Sequence, residues 1–237
     1  VNIQADIKAK KAIDALMDNH VISDCVTTLR TSLIFSMPQG KNKRILFTSS
    51  LPSEGKTSVS YLLAASMAKL GEKVLFVEMD LRKPSLGTVS NIAHPEGIGM
   101  TDVLSGQKTV DDVLFKSSIS DNLDVISAGA PSPNPTTLIT SGILDEFFEE
   151  MDKKYDRIII DTPPSYVMPD AIMLTSKAHG VVFVVGSNKS HQKIVKKTID
   201  KIKFVNATIF GTVLNQVQSV HVLYGTKYGY GHYGAKK

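Results

Sequence analysis

Six short apolar segments recur along the chain, and each ends in small or polar residues. They are nearly continuous rather than alternating, which is typical of parallel strands buried on both faces of a sheet. Stretches with helical periodicity separate them: Thr57–Leu70, Ser141–Lys154 and His191–Phe204. This alternation predicts an α/β fold with a doubly wound, mostly parallel sheet, helices on both faces and ligands at the carboxyl ends of the strands. The predicted strands are Arg44–Ser50, Val74–Asp80, Leu123–Ser127, Arg157–Thr162, Val181–Gly186 and Ile209–Asn215.

The two ends of the chain differ from this central pattern. About 40 residues precede the first predicted strand, and we expect two helices there. The last 14 residues, 224–237, carry four of the seven tyrosines interleaved with four glycines and have no apolar periodicity. Such a segment is expected to be a flexible tail. The predicted organisation is an N-terminal helical segment (1–40), an α/β domain (41–223) and a tyrosine-rich tail (224–237).

Composition narrows the classes of function. The formal net charge of +4 is mild, and the basic residues form no stripe interleaved with aromatic residues, which argues against nucleic acid. The single cysteine, Cys25, suits a reducing cytoplasm. No apolar run approaches the roughly 20 residues that cross a bilayer, and no signal peptide is visible. Since the chain begins with Val1 rather than Met, we favour a membrane segment fused upstream.

The segment LPSEGKTS, residues 51–58, lies between a predicted strand and a predicted helix, as a phosphate-binding loop requires. Gly55 lets the backbone approach phosphate oxygens, Lys56 brings positive charge, and the Thr57 hydroxyl can ligate Mg²⁺. The first glycine of the full consensus is Ser50 here, so the segment alone could also be the start of a surface helix. The predicted nucleotide-binding residues of this loop are Pro52, Ser53, Glu54, Gly55, Lys56, Thr57 and Ser58.

Two acidic strand ends favour the nucleotide interpretation. Asp161 closes the strand in RIIIDTPP, where a buried carboxylate needs a partner such as Mg²⁺ or its water shell; the alternative is a helix cap. Glu78 and Asp80 alternate along VLFVEMDLRKP and so share a face, with Arg82 at the same spacing. They offer metal ligands or a base for a hydroxyl nucleophile. The alternative is an ion pair between Asp80 and Arg82 or Lys83.

The strings TSSLPSEGKTS, VEMDLRKP and IIIDTPP resemble the three Walker motifs of the bacterial tyrosine kinases of capsule and exopolysaccharide export. GMTDVLSG, GAPSPNPTTL, PDAIML and GTVLN are similar to further parts of that family, so the resemblance covers nearly the whole chain from Thr28 onward. Glu78 stands where the family usually has Asp, which leaves the roles of Glu78 and Asp80 as ligand or base open. The family's Glu-x-x-Arg-x-x-Arg subunit-contact pattern corresponds to Asp24, Thr27 and Arg30.

The resemblance implies a P-loop ATP-binding fold and Mg²⁺-dependent autophosphorylation on a C-terminal tyrosine cluster. It places Asn215 near the adenine and implies the metal-binding residues Thr57, Asp80 and Asp161. The implied catalytic residues are Lys56, Glu78, Asp80, Arg82 and Asp161, and the implied phosphoacceptors are Tyr224, Tyr228, Tyr230 and Tyr233.

The partners implied by the resemblance are of three kinds. One is a homo-oligomer in which the tail of one subunit enters the active site of another. The second is a membrane activator or co-polymerase segment, fused or separate, and the third is other protein-tyrosine substrates. The implied location is the cytoplasmic face of the bacterial inner membrane.

Two other functions remain open at this point. The first is a partitioning-type ATPase, whose loop carries an early lysine, as in KGGxGKT; the matching residue here is Leu51. The second is a nucleotide-dependent assembly switch without kinase activity. Removal of the tail tyrosines separates the switch from the kinase, because a pure switch would still assemble and release.

Overall fold

A parallel sheet forms the centre of the protein. The computed structural model describes residues 16–37, 43–87 and 97–217. Within these ranges the sheet has seven strands in the order β3-β4-β2-β5-β1-β6-β7, and only β3 runs antiparallel to its neighbour. The strands are β1 (Arg44–Ser49), β2 (Val74–Glu78), β3 (Phe115–Lys116), β4 (Leu123–Ile126), β5 (Arg157–Asp161), β6 (Gly180–Gly186) and β7 (Ile209–Asn215). The predicted doubly wound α/β fold is confirmed.

Helices cover both faces of the sheet. The three predicted helical stretches inside the α/β domain are present, and several shorter helices lie between them. The helices are α1 (His20–Ser36), α2 (Lys56–Lys69), α3 (Met100–Leu104), α4 (Val110–Val113), α5 (Pro135–Ile139), α6 (Gly142–Lys154), α7 (Pro169–Leu174) and α8 (Gln192–Phe204), and a 3₁₀ turn at Thr175–Lys177 follows α7.

Alternate residues of each central strand enter two different cores. Ile45 and Phe47 of β1 pack with α1 and α2 on one face, whereas Leu46 packs with α6 and α8 on the other. The side chains of all three residues are completely buried. Burial on both faces is the physical reason for the nearly continuous apolar runs.

The first helix shares the core of the α/β domain. Asn19 caps α1 by accepting hydrogen bonds from the N–H groups of Val21 and Ile22. Val26 and Leu33 belong to the core on the α2 side of the sheet. Arg30, expected in a subunit contact, donates a hydrogen bond of 2.6 Å from Nη1 to Ser66 Oγ on α2. The described part of the N-terminal segment is therefore packed onto the domain.

Two details differ from the sequence expectation. The second predicted strand extended to Asp80, but β2 ends at Glu78, because Asp80 Oδ1 accepts a hydrogen bond from the backbone N–H of Lys83 and the chain turns there. The edge strand β3 has two residues, too few to produce a periodic signal.

The predicted tail, 224–237, lies outside the described residues. In the described ranges, no helix is long and apolar enough to cross a membrane.

Candidate active site

The carboxyl ends of β1, β2 and β5 meet at one edge of the sheet, where α/β folds bind their ligands. In the parallel register, Asp161 of β5 lies beside Phe47 of β1 and beside Glu78 of β2. The three segments singled out from the sequence are thus brought together by the order of the strands, although about 100 residues separate the first from the last.

The loop between β1 and α2 has the geometry of an anion site. Gly55 precedes the first residue of α2 and has φ of 85°, a conformation that favours glycine. Asn215, at the end of β7, donates a hydrogen bond of 3.0 Å from Nδ2 to the carbonyl oxygen of Glu54. An added Cβ at Gly55 would lie 2.1 Å from that nitrogen. Glycine is therefore required here both by the backbone and by the contact with β7.

A second residue of β7's end also holds the loop. Gln216 donates a hydrogen bond of 3.1 Å from Nε2 to the carbonyl oxygen of Ser53. Together with the bond from Asn215, this contact links the carbonyl groups of two successive loop residues to the end of β7, the outermost strand on this side of the sheet. The loop leads directly into the N-terminus of α2, where the first N–H groups of a helix can bind phosphate.

Lys56 and Asp80 face each other across the site. Lys56 Nζ lies 3.8 Å from Asp80 Oδ2, and both side chains are largely buried. Burial raises the pKa of the Asp80 carboxyl, and the nearby Lys56 ammonium opposes that shift. The pair therefore presents one positive and one negative group at the same cleft.

Thr57 and Asp161 form a buried polar contact in the site. Thr57 Oγ1 donates a hydrogen bond of 2.6 Å to Asp161 Oδ2. The other carboxylate oxygen, Oδ1, is buried and has no hydrogen-bond partner within the described part of the chain. Burial raises the pKa of Asp161 to about 7, against the effects of Lys56 and of the Thr57 hydroxyl. A buried carboxylate oxygen without a partner is costly unless a ligand satisfies it.

These oxygens fit a Mg²⁺ ion bound together with phosphates. Across the described ranges, no group of three or more His, Cys, Asp or Glu side chains forms a metal cage. Mg²⁺ at nucleotide sites keeps several waters and uses one or two carboxylates plus phosphate oxygens, so no full cage is needed. Thr57 Oγ1, Asp161 Oδ1 and Asp80 supply suitable donors.

An open cleft of about 400 Å³ lies above the loop. Most of the predicted site residues line it, but Glu54, Glu78 and Asp161 are not among the described residues that do so. The lining residues are Pro52, Ser53, Gly55, Lys56, Thr57, Ser58, Asp80, Arg82, Lys83, Pro84, Ser85, Pro163, Pro164, Met168, Asn215 and Gln216.

The side chain of Glu54 holds the loop in place through hydrogen bonds. Its carboxylate accepts hydrogen bonds from the N–H of Leu51 (2.6 Å), from the N–H of Gly186 (2.9 Å) and from the Ser190 hydroxyl. The side chain is completely buried. It connects the loop to the end of β6, and Glu54 is not among the described residues that line the cleft.

Arg82 pairs with a residue that the sequence did not single out as a site residue. Its Nε lies 2.5 Å from Asp170 Oδ2 and its Nη2 lies 3.1 Å from Oδ1, while Thr136 Oγ1 also donates to Oδ1 at 3.0 Å. Asp170 is 1% exposed. The observed ion pair therefore joins Arg82 to Asp170 of α7 rather than to Asp80. The one sequence signal for Asp170 was its place in PDAIML.

Comparison with known proteins gives a consistent assignment. A family described as an AAA domain matches residues 43–211. Tyrosine-protein kinase YwqD of Bacillus subtilis (strain 168) is 32% identical over 209 residues, which are 86% of this chain and 87% of that protein. A putative tyrosine-protein kinase in the cps region of Klebsiella pneumoniae is 31% identical over 82% of this chain but only 26% of its own length.

Solved structures agree with these relatives. The kinase domain of the Escherichia coli tyrosine kinase ETK superposes with a TM-score of 0.75 and 31% sequence identity, over 88% of this chain and 80% of that chain. The predicted resemblance is thereby confirmed along most of the chain: the protein belongs to the AAA-domain family of bacterial tyrosine-protein kinases.

Proposed function

We propose that this chain is an ATP-dependent tyrosine autokinase that phosphorylates the tail tyrosines of a neighbouring copy and thereby regulates polysaccharide synthesis or export. The observation that supports it best is that Lys56, Thr57 and Asp80 line one cleft, while Asp161 is hydrogen-bonded to Thr57 and keeps a buried carboxylate oxygen without a partner among the described residues. The proposed acceptors are Tyr224, Tyr228, Tyr230 and Tyr233.

The proposed reaction transfers the γ-phosphoryl group of ATP to a tyrosine hydroxyl. The phenol oxygen forms a bond to the γ-phosphorus, the bond to the β–γ bridging oxygen breaks, and ADP leaves. Lys56 stabilises negative charge on the phosphate oxygens. Thr57 and Asp161 would hold Mg²⁺, with Asp80 near its water shell, and the chemistry that this cation supplies is neutralisation of phosphate charge.

Asp80 is the proposed acceptor of the phenol proton. A tyrosine hydroxyl has an ordinary pKa of about 10, so it needs a base or an orienting acceptor to react near neutral pH. The Asp80 carboxylate lines the cleft; burial raises its pKa, which favours acceptance of a proton, and Lys56 beside it opposes that shift. Arg82, held by Asp170, supports this side of the cleft.

Mapping of the phosphorylated residues tests the proposal. After incubation with labelled ATP and Mg²⁺, we expect most of the label on Tyr224, Tyr228, Tyr230 and Tyr233. A variant with all four changed to Phe should lose most of the label and still phosphorylate an added tyrosine peptide. ATP hydrolysis without phosphotyrosine in any residue would favour a partitioning-type ATPase, and nucleotide-dependent assembly without either reaction would favour a pure switch.

Transfer between subunits can be tested by complementation. The four-Phe variant serves as an active enzyme without tail acceptors, and Lys56→Met serves as an acceptor without activity. In a mixture of the two, we expect label on the Lys56→Met chain, with an initial rate that rises with concentration. Label absent from that chain, although wild-type protein labels itself, would show that transfer occurs within one chain.

Tail charge provides a proposed release step. Lys227, Lys236 and Lys237 make the unmodified tail cationic, whereas four phosphates would add roughly −6 to −8 charges. A phosphorylated tail should then be repelled from the acidic Asp80 and Asp161 region. We expect the unmodified protein to have a higher molecular mass in solution, as an oligomer, than the phosphorylated protein at equal concentration. A mass that is oligomeric and unchanged after phosphorylation would contradict this release.

The proposed setting is the cytoplasmic face of the inner membrane, beside a co-polymerase segment. The Klebsiella relative, of which this chain matches about a quarter, supports a fused arrangement, whereas YwqD, matched over 87% of its length, supports a separate partner. Other protein-tyrosine substrates are expected as well. Nucleic acid is not an expected partner.

A further inference from the structure

Both carboxylate oxygens of Glu78 accept hydrogen bonds from backbone N–H groups. Its Oε1 accepts hydrogen bonds from Ser85 (2.6 Å) and Leu86 (2.7 Å), and its Oε2 accepts one from Ala128 (3.1 Å). The residue is 1% exposed. Ser85 and Leu86 belong to the segment that follows β2, and Ala128 follows β4. One side chain therefore joins two backbone segments at the carboxyl edge of the sheet.

This arrangement differs from that of a metal ligand or a base, which needs an oxygen that no protein group already uses. Asp161 Oδ1 has no partner among the described residues, and Asp80 lines the cleft and faces Lys56, whereas both oxygens of Glu78 accept backbone N–H groups. An aspartate at position 78 would be shorter by one C–C bond, about 1.5 Å. It could not reach both segments without a shift of the backbone, which explains the use of glutamate at this position.

The segment held by Glu78 carries cleft residues. Asp80, Lys83 and Ser85 all line the cleft, and the two N–H groups that Glu78 accepts from lie at the end of this segment. Ser85 Oγ lies 3.1 Å from Thr57 Oγ1. Glu78 thus determines where the Ser85 hydroxyl meets the hydroxyl expected to face Mg²⁺.

The donor and acceptor roles of the Thr57 hydroxyl follow from its short hydrogen bond to Asp161. The single Thr57 proton is donated to Asp161 Oδ2 at 2.6 Å, so Thr57 accepts from Ser85. A hydroxyl oxygen has two lone pairs, and one of them is used by the Ser85 proton. The rotation of the Thr57 hydroxyl is then defined, with its second lone pair available for a cation.

We infer that Glu78 is a positioning residue rather than a base or a metal ligand, and that Ser85 is a further residue of the phosphate site, orienting Thr57. This inference rests on the proposed function only for the identity of the cation and the nucleotide. The hydrogen bonds of Glu78 can be tested in nucleotide-free protein, whether or not kinase activity is found.

Two substitutions at position 78 separate the roles. If Glu78 positions the backbone, the Gln variant should be the more active of the two, whereas if Glu78 is a base or a ligand, the Asp variant should be. Glu78→Gln keeps the length and one acceptor oxygen for Ser85 and Leu86, so kcat should stay within about tenfold of wild type, the effect of losing one hydrogen bond. Glu78→Asp keeps the charge but is too short, and it should raise KM for ATP by about tenfold or more. An inactive Gln variant beside a fully active Asp variant would show that Glu78 is a base or ligand.

Hydrogen exchange supplies a readout that is independent of activity. In Glu78→Asp, the amides of Ser85 and Leu86 should exchange faster than in wild type, while the Gly186 amide, held by Glu54, should be unchanged. Unchanged exchange at Ser85 and Leu86 would overturn the inference. Glu146→Asp, at an exposed position of α6, is the matched control and should change neither exchange nor kinetics.

Ser85→Ala tests the second half of the inference without touching a buried charge. It retains the N–H that Glu78 accepts and removes only the hydroxyl, so KM for ATP should rise about 2- to 10-fold with unchanged melting. Unchanged KM would remove Ser85 from the site. If Glu78→Asp does not fold, Glu78→Gln decides the role of Glu78: kcat within about tenfold supports positioning, and a loss of about 100-fold or more overturns it.

Discussion

Substitution of Lys56 by Met is expected to lower the rate of tyrosine phosphorylation by about 10²–10³-fold, by analogy with donors that stabilise developing charge. Lys56 is the first residue of α2 and lies beside Asp80 in the cleft. Methionine has a similar length and replaces the aliphatic stem, so the change removes the ammonium group and leaves most of the packing. The rate is measured with labelled ATP on the wild-type tail and on an added tyrosine peptide.

Lys69→Met is the matched control, because Lys69 lies exposed at the other end of the same helix. It should leave both rate and melting temperature unchanged. Circular dichroism of Lys56→Met should show the wild-type content of helix and strand. A folded Lys56→Met protein that keeps more than about a tenth of the wild-type rate would contradict the role assigned to this residue.

Substitution of Asp161 by Asn is expected to raise the Mg²⁺ concentration needed for half-maximal activity by about 10–100-fold, the range found when groups around a metal are removed. Asn has the shape of Asp, and its single side-chain oxygen can take the place of Asp161 Oδ2 and accept the Thr57 hydrogen bond. The change therefore removes the charge and the oxygen that lacks a partner, and it leaves the Thr57 contact in place. A Mg²⁺ titration at saturating ATP provides the measurement.

The same variant should not destabilise the nucleotide-free protein. Burial raises the pKa of Asp161 to about 7, so its ionised form disfavours the fold, and this cost grows as the pH rises from the unfolded pKa towards 7. Asn carries no such cost, and its melting temperature at pH 7–8 should equal or exceed that of wild type. Asp200→Asn, an exposed change on α8, is the control. Wild-type Mg²⁺ dependence in Asp161→Asn would remove this residue from the metal site.

Much of the fold could be predicted from local patterns. The central strands begin at or within one residue of their predicted starts, because each is a continuous apolar run whose period differs from that of the helices. The loop around Gly55 and Lys56 was also predictable, since a short loop between strand and helix has a fixed geometry. Residues lacking such a signal, such as the two in β3, were missed.

The different positions of the Glu78 and Asp80 side chains could not be predicted from their spacing. Alternation puts both on one face of a strand, but β2 ends at Glu78, and the side chain of Glu78 meets N–H groups of residues 85, 86 and 128. Asp80 follows the strand and reaches the cleft instead. Both outcomes depend on where the segment after β2 returns, and that return is set by contacts distant in sequence.

Local periodicity and loop chemistry were enough to define the central strands, their order along the chain and the three segments predicted to form the nucleotide site. Which carboxylate oxygens already have protein partners, and which remain for a ligand, depends on the folded arrangement. The tertiary structure placed β1 between β5 and β6, brought Asn215 onto the loop, and gave Arg82 the buried partner Asp170. Such pairs form only when the sheet has closed, since no local pattern records a partner 88 residues away.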